Sequence, residues 1–172
     1  LQIRGIHFLR LIEFGETRRL LIANGYNLYY TDDEGVTLQL SNGLDFLSGW
    51  GGNYLKRVII TDDKIVYLLA SEGTGNWNNV GTIYKSTDHG RNFTKILSLD
   101  TNSGMSSNQN SDHYDIWTSR YFETDIYILN DENFYQLSEH SIEFVSQIHS
   151  SNYSGDVILT GGVGTNVPFF YS

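Results

Sequence analysis

Read for its hydrophobic and polar positions, the chain is a succession of short apolar runs, with no stripe of helical period. Ile6 to Phe14, Arg19-Leu20-Leu21-Ile22-Ala23, Tyr54 to Thr61, Ile65 to Ala70, Ile116 to Phe122 and Asp125 to Leu129 are rich in β-branched and aromatic residues. Clusters of Gly, Asn, Asp and Ser bound them, the mark of strands separated by turns. Closing strands are predicted at Phe93 to Leu97 and Phe144 to Ile148. No run approaches the ~18 residues of a membrane helix.

The punctuation between these runs repeats. Ile83-Tyr84-Lys85-Ser86-Thr87-Asp88-His89-Gly90-Arg91-Asn92-Phe93 aligns without gaps with Leu28-Tyr29-Tyr30-Thr31-Asp32-Asp33-Glu34-Gly35-Val36-Thr37-Leu38. A worn third copy runs from Phe134 to Phe144, with Glu139 at the acidic position. The spacings are 55 residues (33 to 88) and 51 residues (88 to 139), a period that suits a four-stranded unit. Each unit reads strand, turn, strand, loop, strand, acidic turn, strand. A fraction of a fourth follows at Asp156 to Thr160 and Pro168 to Ser172.

The acidic turn has a mechanism. A Ser/Thr hydroxyl and an Asp carboxylate two residues on can accept hydrogen bonds from the loop's own N–H groups. The glycine permits the positive φ that closes the loop, and the apolar residue three further on tucks under the hairpin.

Ser86, Asp88, Gly90 and Phe93, and likewise Thr31, Asp33, Gly35 and Thr37, resemble the Asp-box, Ser/Thr-x-Asp-x-Gly-x-Thr-Trp/Phe. The second copy has Asn92 where Thr is usual, the first has Leu38 in place of the aromatic, and the third keeps only Glu139 and Phe144. Families bearing this box include sialidases, xyloglucan-type glycoside hydrolases and sortilin-like receptors, all β-propellers. The resemblance implies an all-β fold of antiparallel four-stranded meander blades: blade 1 near 3–42, blade 2 near 54–98, blade 3 near 114–148 and a partial blade near 149–172. It implies an extracellular, periplasmic or surface location. About three and a half blades do not close a ring, so the rest of the propeller is expected from the same or another chain.

Composition narrows the partners. With 20 Asp+Glu against 11 Lys+Arg the net charge is −9, which speaks against nucleic acid. The absence of Cys removes disulfides, thiol catalysis and Cys-based zinc sites. Five histidines show no ligand spacing, so neither metal nor cofactor is expected. His89 and His140 hold equivalent places in their turns and are expected at the surface.

In a blade whose innermost strand comes first, the acidic turns fall on the face opposite the loops 41–54, 72–80 and 100–115. The boxes then read as structural fasteners. The opposite loops carry Trp50, Tyr54, Asn76, Trp77, Asn78, His113 and Tyr114, flat apolar platforms beside hydrogen-bonding side chains. That is the composition of a glycan or polysaccharide cleft. Packing between blades is the competing role for the tryptophans. Glycoside hydrolysis needs two carboxylates ~5–9.5 Å apart. Asp45, Glu72, Asp112 and Asp115 are the candidates, and spacing selects no pair, so turnover stays open. Sialidase chemistry is disfavoured, because no Arg-Ile-Pro motif occurs and the one proline is Pro168. The alternative is a non-catalytic peptide- or protein-binding propeller of sortilin-like or adhesin type.

Overall fold

The computed structural model describes residues 6–24, 26–44, 53–73, 79–99, 114–118, 126–130, 133–138 and 141–147. The fold is all-β. The first sheet contains β1 (Phe8–Phe14), β2 (Thr17–Ala23), β3 (Leu28–Thr31) and β4 (Gln39–Leu40). The second contains β5 (Tyr54–Ile60), β6 (Val66–Gly73), β7 (Asn79–Ser86) and β8 (Thr94–Ser98). The third contains β9 (Tyr114–Thr118), β10 (Ile126–Asn130), β11 (Asn133–Ser138) and β12 (Ser141–Gln147). Each is antiparallel and ordered as in the chain, a four-stranded meander. Among the described residues no helix is long and apolar enough to cross a membrane.

Alternation along the strands decides how the sheets stack. On β6, Val66, Leu68 and Ala70 join a core with Ile12, Leu21 and Leu28 of the first sheet. Tyr67 and Leu69, between them, join Ile116, Ile126 and Ile128 of the third. The second sheet is therefore buried on both faces, which is why residues 65–70 read as one continuous apolar run. Each fully buried aliphatic here contributes roughly 1.5–3 kcal/mol relative to exposure. The sheets also approach through their first strands, β1 lying beside β5 and β5 beside β9.

The repeat extends to its irregularities. The pairing of β7 with β8 shifts register between Ile83 and Tyr84, and that of β11 with β12 shifts between Phe134 and Tyr135. These are the same positions of successive copies, 51 residues apart (83 to 134), so the worn third copy keeps the bulge although its sequence has drifted. Strand limits differ modestly from expectation. Glu72, Asn79 and Val80 belong to strands, with Glu72 opposite Val80, so the connection between β6 and β7 is shorter than the predicted 72–80 loop. Thr61 lies past the end of β5, in the hairpin turn, where its hydroxyl bonds Asp63.

Candidate functional site

The two described acidic turns are built alike. In the first, Thr31 Oγ1 accepts the Gly35 N–H at 2.9 Å and donates to Asp33 Oδ1 at 2.7 Å. Asp33 then accepts the Thr37 N–H at 2.8 Å and the Thr37 hydroxyl at 2.6 Å. In the second, Ser86 Oγ accepts the Gly90 N–H at 2.9 Å and donates to Asp88 Oδ1 at 2.7 Å. Asp88 accepts the Arg91 and Asn92 N–H groups at 3.1 and 2.9 Å, and the Asn92 side-chain amide at 2.5 Å. The backbone matches too: Glu34 and Gly35 have φ of 58° and 92°, His89 and Gly90 of 61° and 86°.

These bonds make the carboxyls unusually acidic. Asp33 is held near pKa 2, first by the Thr37 hydroxyl, then by the Thr37 amide and Thr31. At Asp88 burial pushes the pKa up, but the Asn92 backbone and side chain, Ser86 and Arg91 together outweigh it and the net shift is downward. Both carboxylates are occupied by their own turns, which is a fastener's arrangement.

The second turn is also wedged into the first sheet. Arg19 of β2, 1% exposed, holds Asp32 through Nε and Nη2, both at 2.7 Å, and donates from Nη1 to the Asp88 and His89 carbonyls at 3.1 and 3.2 Å. Its guanidinium lies 4.7 Å from the Tyr30 ring centre and 5.1 Å from that of Phe14. The imidazole of His89 stacks on Phe14 at 3.8 Å and 4°. His89 is thus packed against its neighbour sheet, correcting the expectation of a purely surface residue. Ser41 Oγ donates to the Gly90 carbonyl at 2.7 Å, the Asn42 N–H to the Arg91 carbonyl at 2.8 Å, and the Phe93 N–H to the Asn42 carbonyl at 3.0 Å. Asn92 explains its own departure from the usual Thr. Its amide nitrogen replaces the hydroxyl that Thr37 offers to Asp33, while its amide oxygen accepts from Asn42, two residues past β4, at 3.0 Å. Phe93 is buried beneath the hairpin as expected, and Leu38 is half-buried.

In each of these two sheets the acidic turn closes one end of the meander, and the connection to the next sheet leaves from the other. At that other end of the second sheet sit Tyr54, Asn53 and Glu72. Asn53 Oδ1 accepts the Gly73 N–H at 2.5 Å, and Tyr54 opens β5 half-buried, opposite Ser71. The Glu72 carboxylate accepts the Tyr84 hydroxyl and, at 2.9 Å, the Lys95 ammonium. Burial first, then the bond and charge of Glu72, raise the Tyr84 pKa well above the ordinary tyrosine range. Both oxygens of Glu72 have partners from β7 and β8, so it is a positioned acceptor within the sheet.

Tyr114 and Asp115 lie at the start of β9, with Asp115 opposite Leu129. Asp45, Trp50, Asn76, Trp77, Asn78, Asp112, His113 and Glu139 lie outside the described residues; Phe144 lies in β12, opposite Tyr135. Among the described residues no group of three or more His, Cys, Asp or Glu could hold a metal ion. The sequence reading missed Arg19 and the Tyr84–Glu72–Lys95 cluster. A signal for Arg19 existed: an arginine pair, Arg18-Arg19, opens an apolar run whose counterpart in the second unit opens with Ile65. No protein-family model matches the chain, and no curated protein is significantly similar to it.

Proposed function

We propose that the three sheets are successive blades of an Asp-box β-propeller, and that the chain is a carbohydrate-binding module acting at the blade ends opposite the acidic turns. The carrying observation is that Asp33 and Asp88 spend their carboxylates on their own turns. Ligand recognition therefore falls to the opposite ends. The neighbouring connections there carry Trp50, Trp77, Asn76 and Asn78, aromatic platforms beside amides, which suit sugar rings and their hydroxyls. The approach of the sheets through β1, β5 and β9 supports the blade reading, since a propeller gathers first strands about its axis. Occupation of both Glu72 oxygens favours binding over hydrolysis at that residue.

A glycan array combined with turnover assays on β-glucans and sialosides tests the proposal. Binding that disappears in Trp77→Ala, with thermal stability unchanged, is the expected result. Silence on the array, or a Trp77→Ala variant altered only in stability, would sink it.

A further inference from the structure

An aromatic followed by Asn precedes the third strand in each of the first two sheets. Tyr26-Asn27 stands immediately before β3 and Trp77-Asn78 immediately before β7, with Gly25 and Gly75 just ahead of them. Both dipeptides belong to the connection between the second and third strands, whereas the acidic turns join the third and fourth. Arg19 holds Asp32 together with the Asp88 and His89 carbonyls, so the acidic turns of the two sheets share one end. The 24–27 and 74–78 connections therefore start from the same, opposite end.

The first connection is built to present its ring. Asn24 Oδ1 accepts the Asn27 N–H at 2.8 Å and the Tyr26 N–H at 3.3 Å, and the Asn24 N–H donates to the Asn27 carbonyl at 3.1 Å. This closed Asx turn fixes the backbone around Tyr26 while leaving the residue 62% exposed. A packing role would bury the ring, as it buries Tyr30 and Tyr84. One exposed aromatic is ordinary on a surface. Tyr26 is more than that, because its own turn holds it and Trp77 takes the same place one unit later.

We propose that Tyr26 is a stacking platform of the carbohydrate site, and that the ligand is an extended glycan chain and not a single terminal sugar. The inference rests on the carbohydrate reading above and names its ligand class. A flat aromatic covers the apolar C–H face of a sugar ring, and the tyrosine hydroxyl can bond a neighbouring sugar hydroxyl. A turn already closed in the free chain keeps the ordering cost of binding low. The two connections leave stacked sheets, which sit about 10 Å apart, wider than one sugar ring. A monosaccharide cannot reach from one to the other, and a chain of several sugars can.

A chain-length array, carrying the β-glucan, xylan, mannan and chitin series from monosaccharide to hexasaccharide, tests this with the 172-residue chain. The expected result is binding that strengthens with length, and that Tyr26→Ala weakens by roughly 3- to 10-fold on the longest members. Binding of the shortest members and the thermal midpoint should not change, and Tyr26→Phe, which keeps the ring, should behave as wild type. If Tyr26→Ala is destabilised, Tyr26→Leu, which keeps apolar bulk without a flat ring, decides. Binding independent of length, a length dependence that survives loss of the ring, or an equal loss at every length overturns this proposal and leaves the carbohydrate reading standing. Silence of the wild-type chain across the array overturns both.

Discussion

Arg19 grips Asp32 with two parallel bonds of 2.7 Å while its remaining amino group reaches across to the Asp88 and His89 carbonyls. One guanidinium thereby ties the first acidic turn to its own sheet and the second turn to its neighbour. Arg91 adds a longer contact to one of the two Asp32 oxygens, Oδ2, at 3.3 Å. The bonds from Arg19, above all, hold the Asp32 carboxyl below its ordinary range.

Arg19→Met is expected to destabilise the chain by about 1–3 kcal/mol, because it removes the buried guanidinium that holds the solvent-facing Asp32 and leaves two carbonyls without this donor. Arg19→Lys recovers little, since a single ammonium cannot span both Asp32 oxygens and the carbonyls of the second turn. Urea unfolding of the two variants measures this. If lysine restored wild-type stability, the planar fork would be irrelevant and the latch merely a point charge.

Acid should loosen the fold in a defined window. Asp33 titrates near 2 in the folded chain against an ordinary value of 3.8. A carboxyl more acidic folded than unfolded adds stability above its unfolded pKa, and the contribution is lost as pH falls through the folded value. Asp32 and Asp88 shift in the same direction. The thermal midpoint is therefore expected to hold steady above about pH 5 and to fall between 3.8 and about 2. Asp33→Asn should shallow that descent. An unchanged slope in this variant would remove the first turn from the account.

How much of this was legible in the sequence follows from which forces act locally. Ser86, Asp88 and Gly90 satisfy one another within five residues, so spacing alone predicted their turn. The stretches around Val66 and Ile126 announced strands because burial leaves no polar position there. The opening arginine hinted at a special position, but the contacts of Arg19 were illegible because its partners lie 13, 69 and 70 residues away, and only the docking of two sheets brings the last two within reach. Glu72 was placed in a loop because Gly73-Thr74-Gly75 reads as a break. Pairing of Glu72 with Val80 and of Gly73 with Asn79 carries the strands past it. Its bonds to Tyr84 and Lys95 depend on that register, which composition does not encode.

Two glycines separate backbone strain from crowding. Gly35 has φ +92° with open space around it, so Gly35→Ala should cost only the conformational penalty, about 1–2 kcal/mol. Gly43 has φ +78°, and a Cβ there would lie 2.0 Å from the Phe93 carbonyl oxygen. Gly43→Ala must therefore push Phe93 away and break the bridge between Asn42 and Asn92. Its unfolding midpoint is expected well below that of Gly35→Ala. Equal losses would mean that the two sheets separate at no cost along this seam.

Glu72 can be assigned by comparing two substitutions. Glutamine keeps an oxygen for the Tyr84 hydroxyl and loses only the charge paired with Lys95. That ammonium is nearly half exposed, and such pairs are worth about 0–1 kcal/mol. Alanine removes both contacts and leaves the phenol of the buried Tyr84 without this acceptor, at a cost of about 1–3 kcal/mol. Glu72→Gln should accordingly unfold near wild type and Glu72→Ala clearly below it. Removing the carboxylate charge should also lower the Tyr84 pKa, while burial, the larger cause, keeps it above the ordinary range. An alkaline titration referenced to Tyr84→Phe reads that change. For glycan affinity, a positioned acceptor predicts no change in Glu72→Gln. Loss of binding or of sugar turnover in this variant, with its stability intact, would instead put Glu72 in contact with the ligand.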